Sequence, residues 1–200
     1  MYAAGVFPLC GHGVKDSSVK ETKTTMSILD RFRLDGRKAL VTGADRGIGR
    51  NFAEALAEAG ADVAIIDIIA ENAQRTAAEI AAATGRQTLA VTCDIMDAAQ
   101  VAAAVDRVFE AFGRLDIAVN NAGISIQIKG IQDVTPAEWE RQMGVNLNGT
   151  YNCLREEGRV MIPNGYGKII NIGSICGNII WPHPQPQLPY SVSKAAVLHE

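Results

Sequence analysis

The sequence predicts an α/β protein built on a doubly wound parallel sheet. Three observations point there. Short apolar strands alternate with amphipathic helices along most of the 200 residues. The second strand, Val63-Ala64-Ile65-Ile66-Asp67, is apolar on both faces, as a strand covered by helices on each side must be. A glycine-rich turn, Gly43 to Gly49, joins the first strand to the first helix.

Composition agrees with one domain-sized core: 48% of the residues are hydrophobic. The formal charge of −3, from 19 basic and 22 acidic residues, leaves no basic stripe, which argues against nucleic acid or an anionic membrane as the main partner. A small-molecule substrate is expected instead. Cys10, Cys93, Cys153 and Cys176 show no C-x-x-C spacing and no accompanying His pair, so neither a disulfide framework nor a metal site is expected. No apolar run approaches the roughly 20 residues of a membrane helix, and a soluble, cytoplasmic protein with reduced thiols is the expectation. Residues 1–31 read as a disordered tail with no hydrophobic period or signal-peptide core, Met26 being a candidate start, and residues 32–200 as the folded domain.

Taken in order, Lys38 to Thr42 is a strand, followed by Gly43-Ala44-Asp45-Arg46-Gly47-Ile48-Gly49. A helix follows with Phe52, Ala55, Leu56 and Ala59 at helical spacing, closed by Gly60. Glycine between strand and helix lets the turn be tight and lets backbone N–H groups approach a pyrophosphate at the helix N-terminus. The spacing is G-x-x-x-G-x-G and no Lys-Ser/Thr pair ends it, which excludes a P-loop. Asp67 closes the second strand about 20 residues on, where a carboxylate meets a ribose 2′-hydroxyl. Dinucleotide binding is the expectation.

The next helix, Glu71 to Thr84, carries Ala73, Ala77, Ile80 and Thr84 on one stripe and ends at Gly85. Thr88 to Thr92 is the third strand. Asp97 opens a helix with Val101, Val105, Val108 and Phe112 in period, stopped by Gly113. Leu115 to Val119 makes a fourth strand ending in Asn120-Asn121-Ala122-Gly123. Thr135-Pro136-Ala137-Glu138 is a capping box with proline at the first helical position. Trp139, Met143 and Asn146 then share a face, placing a polar amide beside two core residues. A fifth strand, Lys168 to Gly173, delivers Ser174 at its carboxyl end, the end where open α/β sheets bind ligands.

Pro189-Tyr190-Ser191-Val192-Ser193-Lys194, continued by Ala195 and Ala196, reads as a helix with Tyr190 and Lys194 one turn apart. A phenol titrates near ~10, so an adjacent ammonium is what makes it a usable acid or base at neutral pH. Alone the pair is equally consistent with a solvated helix face.

The ordered set Thr42-Gly43-Ala44-Asp45-Arg46-Gly47-Ile48-Gly49, Asn120-Asn121-Ala122-Gly123, Ser174 and Tyr190-x-x-x-Lys194 closely resembles the short-chain dehydrogenase/reductase family, over about Phe32 to Glu200. The resemblance implies a Rossmann fold and an NAD(P)-dependent oxidoreductase acting on an alcohol or carbonyl. It implies Tyr190 as general acid/base, Lys194 favouring the phenolate and binding the nicotinamide ribose, Ser174 orienting the substrate oxygen, and Asn146 holding a relay water behind Lys194. Gly43, Gly47, Ile48 and Gly49 would line the pyrophosphate, Asp94 the adenine, and Asn120, Ala122 and Gly123 the adenosine ribose. Asp67 repels a 2′-phosphate and favours NAD, whereas Arg46 sits where NADP-dependent relatives often carry a basic residue; NAD is preferred over NADP.

The loop from Ile179 to Gln187, with Trp181, His183 and Pro184-Gln185-Pro186-Gln187, resembles that of members acting on polyols and ketoses such as arabinitol, mannitol, sorbose and gluconate. The alternatives are a 3-oxoacyl-carrier-protein reductase and a non-catalytic nucleotide sensor. The family normally continues past the Tyr-Lys helix, so the chain is expected to be a C-terminal truncation, poorly stable and inactive, of a full-length homo-oligomer, dimer or tetramer. Its fifth strand is expected to keep an unpaired apolar edge.

Overall fold

Strands β1 (Lys38–Thr42), β2 (Asp62–Asp67), β3 (Thr88–Thr92), β4 (Ile117–Asn120) and β5 (Lys168–Asn171) form one wholly parallel sheet in the order β3-β2-β1-β4-β5. The computed structural model describes residues 27–126, 130–179 and 187–200. The chain divides into two units, residues 1–31 and 32–200. Of the first, Ser27 to Arg31 are described, and the Ser27 N–H donates to Asp30 Oδ2 at 2.8 Å. The expected disordered tail as far as Met26, with Cys10, lies outside the described residues. So does the loop from Ile180 to Pro186, with Trp181, His183 and its glutamine Gln185.

Among the described residues there are six α-helices: α1 (Gly47–Glu58), α2 (Ala70–Thr84), α3 (Ala98–Phe112) and α5 (Thr150–Met161) pack on the sheet, and α4 (Pro136–Met143) and α6 (Leu188–Val197) pack on each other. The pleat sorts the core into two layers. Ala39, Val41, Val63 and Ile65 pack with Ala53 and Ala57 of α1 and Ala73, Ala77 and Ile80 of α2. Leu40, Ala64, Ile66 and Val91 face the other way, onto Val101, Val105 and Val108 of α3 and Cys153 and Val160 of α5. The chain therefore reverses direction across the sheet between β1 and β4, and a crevice opens beyond their carboxyl ends.

Local signals set the boundaries as the sequence predicts in several places. Asp97 caps α3 by accepting from Ala99 N and Gln100 N, Gly85 and Gly113 end α2 and α3 in the left-handed conformation, and the Thr135–Glu138 capping box is reciprocal.

Three expectations are corrected. The buried face of α1 is Gly49-Ala53-Ala57, and Ala55 is exposed, because the start of α1 lies directly on the glycine turn and only small residues fit that line. Strand β4 begins at Ile117, two residues later than expected; the Asp116 carboxylate accepts instead from Lys38 N at 3.0 Å and from Arg37 Nη1 at 3.2 Å. In α4 the deepest side chain is polar: Gln142 is wholly buried while Trp139 and Met143 are half-buried. The helix then widens into a π turn over Gly144–Gly149, which carries the wholly buried Asn146.

Candidate active site

The crevice holds a cavity of about 540 Å³ walled by the glycine turn and the end of β2. Gly43 and Gly47 adopt left-handed φ of 63° and 57°. Gly43 also has no room for a side chain, since a Cβ would stand 2.8 Å from Ala122 Cα, and one on Gly49 would stand 2.2 Å from Gly43 O. Asn121 ties the turn to β4: its Nδ2 donates to the carbonyls of Thr42 and Gly43, both at 3.0 Å. Arg46 is the N-cap of α1 and gives no side-chain cap, so the first N–H groups of the helix face the cavity without a side-chain acceptor. Such a terminus binds an anion. The geometry fits a dinucleotide pyrophosphate.

Of the sequence-predicted residues, Gly43, Arg46, Gly47, Ile48 and Gly49 line this cavity, as do Asp67, Asp94, Ala122 and Gly123. Asp67 is 8% exposed; its carboxylate accepts from Asp45 N and Ile69 N, both at 3.2 Å, and burial raises its pKa above the usual aspartate value. Asp94 accepts from Met96 N at 2.9 Å. Asn120 is a correction. Its side chain turns into the α5 layer and donates to Glu157 Oε2 at 3.0 Å and Asn171 Oδ1 at 3.1 Å, and its carbonyl accepts from Ile172 N, so Asn121 lines the cavity instead.

The second group lies beside the cavity. Tyr190 and Lys194 share one face of α6, with Lys194 Nζ 6.0 Å from the phenol ring centre. Lys194 is 5% exposed, donates from Nζ to Ile172 O at 2.6 Å, and is pushed below the ordinary lysine pKa by burial. Ser174 follows β5 and caps a 3₁₀ turn, Ile175–Gly177, accepting from Cys176 N at 3.2 Å. Gly177 packs that turn on α6 so closely that a Cβ would meet Lys194 O at 2.8 Å. The turn that follows Ser174 is thus packed directly on the Tyr-Lys helix.

Asn146 is wholly buried between the Gly123 segment and α6. Its Oδ1 accepts from Ile124 N at 2.8 Å, its Nδ2 donates to Ile124 O at 2.9 Å and Ser193 Oγ at 3.0 Å, and its carbonyl accepts from Thr150 Oγ1. The amide therefore clamps the chain just after Gly123, where Asn146 Oδ1 and Lys194 Nζ converge. Gln142, missed in the sequence, extends the clamp by accepting from Ile126 N at 2.9 Å and donating to Ile124 O. Its signal was a polar residue four before Asn146 on the same helical face. The two halves meet at Gly123.

The sequence profile of the short chain dehydrogenase family matches residues 37–199. The chain belongs to the short chain dehydrogenase family. Galactitol 2-dehydrogenase of Rhizobium johnstonii is 44% identical over 174 residues, covering 87% of this chain and 66% of that one. D-threitol dehydrogenase of Mycolicibacterium smegmatis is 41% identical, covering 72% and 54%. This short chain dehydrogenase thus spans between about half and two thirds of the length of these two relatives. Among solved structures, an NAD⁺-bound xylitol dehydrogenase aligns with TM-score 0.78 and 31% identity over 82% of this chain and 62% of that one. An NADPH-dependent 3-quinuclidinone reductase from Rhodotorula rubra aligns with TM-score 0.81 and 33% identity, over 98% and 69%.

Proposed function

We propose that residues 32–200 are the cofactor-binding and proton-transferring part of an NAD-dependent oxidoreductase that interconverts a secondary alcohol and a ketone on a polyol or ketose. The observation that carries this is the junction at Gly123 between an anion-binding helix start and a buried lysine one turn from a tyrosine. A nicotinamide held in this cavity would supply the hydride acceptor for the alcohol and the hydride donor for the ketone. Tyr190 removes the hydroxyl proton in oxidation and restores it to the carbonyl oxygen in reduction. Lys194, held by Ile172 O, keeps a positive charge beside the phenol and within reach of the nicotinamide ribose. Ser174 offers its hydroxyl to the substrate oxygen. Asn146 fixes the main chain that separates the two halves, and a water relay to Lys194 is carried by its remaining lone pairs.

The preference for NAD rests on Asp67, whose buried carboxylate accepts a ribose hydroxyl and repels a 2′-phosphate. Similarity to enzymes named for galactitol, threitol and xylitol supports a polyhydroxylated substrate. Free thiols at Cys93, Cys153 and Cys176 support a cytoplasmic setting, and exposed Tyr151 and Ile162 at α5 support a homo-oligomer. The test is to follow nicotinamide reduction by the protein in its full-length form with NAD or NADP against galactitol, threitol, xylitol and mannitol. Turnover of at least one with NAD is expected; turnover of simple monohydric alcohols alone would remove the polyol assignment.

A further inference from the structure

The cofactor half contains a second buried carboxylate for which the reading above has no use. Asp45 lies between the two left-handed glycines of the turn, is 7% exposed, and lines the same cavity as Asp67. Its backbone is knitted into that corner: its N–H donates to Asp67 Oδ2 at 3.2 Å, and its carbonyl accepts from the buried Thr76 hydroxyl at 2.9 Å. Asn72 at the start of α2 donates to Asp45 Oδ2 at 3.0 Å. Both carboxylates are therefore held in place, and neither can swing into water to escape a neighbouring anion.

We propose that Asp45 is a second specificity-determining residue of the cleft, acting together with Asp67 to exclude a 2′-phosphate from the adenosine ribose. This rests on the dinucleotide reading of the cavity. A phosphate monoester carries close to two negative charges at neutral pH. Set beside Asp67, it meets Asp45 as well, and at such low exposure salt screens the repulsion poorly. Arg46 does not cancel it. The Arg46 side chain is 84% exposed and its Nε stands 3.8 Å from Asp45 Oδ1, so its charge is shared with Asp45 and lies mostly in solvent. Two fixed carboxylates against one solvated guanidinium leave the site net negative. This account differs from one in which Asp67 acts alone, because removing Asp67 leaves discrimination in place until Asp45 is neutralised too.

The experiment measures dissociation constants of 5′-AMP and of adenosine 2′,5′-bisphosphate by calorimetry, probes that need only the adenosine end of the cleft. Wild type is expected to favour 5′-AMP. Asp45→Asn keeps an acceptor for Asn72 and removes the charge, and the preference ratio is expected to fall roughly tenfold, the scale of one poorly screened charge acting on a phosphate. Asp45→Ser gives the same fall if charge and not shape is responsible, and adding Arg46→Ala to Asp45→Asn reverses part of it, because the freed guanidinium is then what meets the phosphate. Thermal melts confirm that each variant is folded. An unchanged ratio in both Asp45 variants, with 5′-AMP still bound, overturns the inference and leaves the cofactor reading standing. Failure of wild type to bind 5′-AMP overturns both.

Discussion

The two halves that meet at Gly123 are held by different physics. On the nucleotide side, β1 and β2 are buried almost throughout and the turn between β1 and α1 is set by backbone approach: Gly43 against Ala122, Gly49 against Gly43. On the proton-transfer side, β5 is the edge strand of the described sheet, with Ile170 49% exposed, and the residue that follows it, Ile172, is tied to α6 by the hydrogen bond from Lys194 Nζ to its carbonyl. Substitutions on the first side are therefore expected to break fold and binding together. On the second they are expected to break chemistry while leaving the fold.

The largest effect is on chemistry alone. Tyr190→Phe removes one hydroxyl from a half-buried residue and keeps its ring, and turnover is expected to fall roughly 10³-fold, about 4 kcal/mol of transition-state stabilisation. The melting temperature is expected to move by no more than about 2 °C, as suits a surface substitution worth under 0.5 kcal/mol. A rate within tenfold of wild type would remove Tyr190 from the mechanism. Gly49→Ala is the counterpart on the nucleotide side. Its methyl group would overlap Gly43 O, at 2.2 Å, and Asn121 Nδ2, at 2.4 Å, so the turn or the helix must move. A loss of more than about 3 kcal/mol in denaturant unfolding is expected, with nucleotide binding lost in parallel. Retained stability with binding abolished would show that the two properties separate there after all.

This contrast also explains what was legible in the sequence. Alternating strands and helices, glycine C-caps and the Asp97 and Thr135 caps are local signals, and the structure follows them closely. The glycine turn was legible because left-handed φ and close approach demand glycine at Gly43. Misplaced residues share a cause: their partners are distant in sequence. The family resemblance implies a ribose contact for Asn120, but successive side chains alternate faces, so Asn121 meets the turn and the Asn120 side chain meets Glu157 and Asn171. On α4 the apolar spacing points to Trp139 and Met143, and it finds the buried Asn146 but not Gln142, whose partners at Ile124 and Ile126 lie far off in sequence.

Glu157 sharpens the comparison because it sits beneath both halves. It is wholly buried, its Oε2 accepts from Asn120 Nδ2, and its Oε1 has no partner among the described residues. Burial raises its pKa from 4.5 to about 7. The folded state therefore holds this proton more tightly than the unfolded chain, so the contribution of Glu157 to stability is fully present below about 4.5 and is lost as pH rises through about 7. Above that window the ionised carboxylate costs roughly 3 kcal/mol. Glu157→Gln keeps the shape and removes the titration: it is expected to melt several degrees higher than wild type at pH ~8 and close to it at pH ~4. Parallel pH profiles for the two proteins would show that Glu157 is not the group that titrates.

Gln142→Leu has the smallest expected effect and tests the seam itself. Leucine matches the volume but removes the acceptor for Ile126 N and one donor to Ile124 O. Asn146 still holds Ile124 through its N–H and its carbonyl, so only Ile126 N is left without a partner. One unsatisfied amide costs about 2 kcal/mol, less if the segment shifts to let water in. Amide hydrogen exchange separates the two residues: Ile126 is expected to lose protection by roughly tenfold or more, the equivalent of about 1.4 kcal/mol, while Ile124 keeps its protection. Equal loss at both would mean that Asn146 cannot hold the segment alone and that the two amides act as one clamp. Unchanged protection at Ile126 would mean that the segment is fixed by its continuity with Gly123, and the nucleotide half would then impose order on the seam without help from α4.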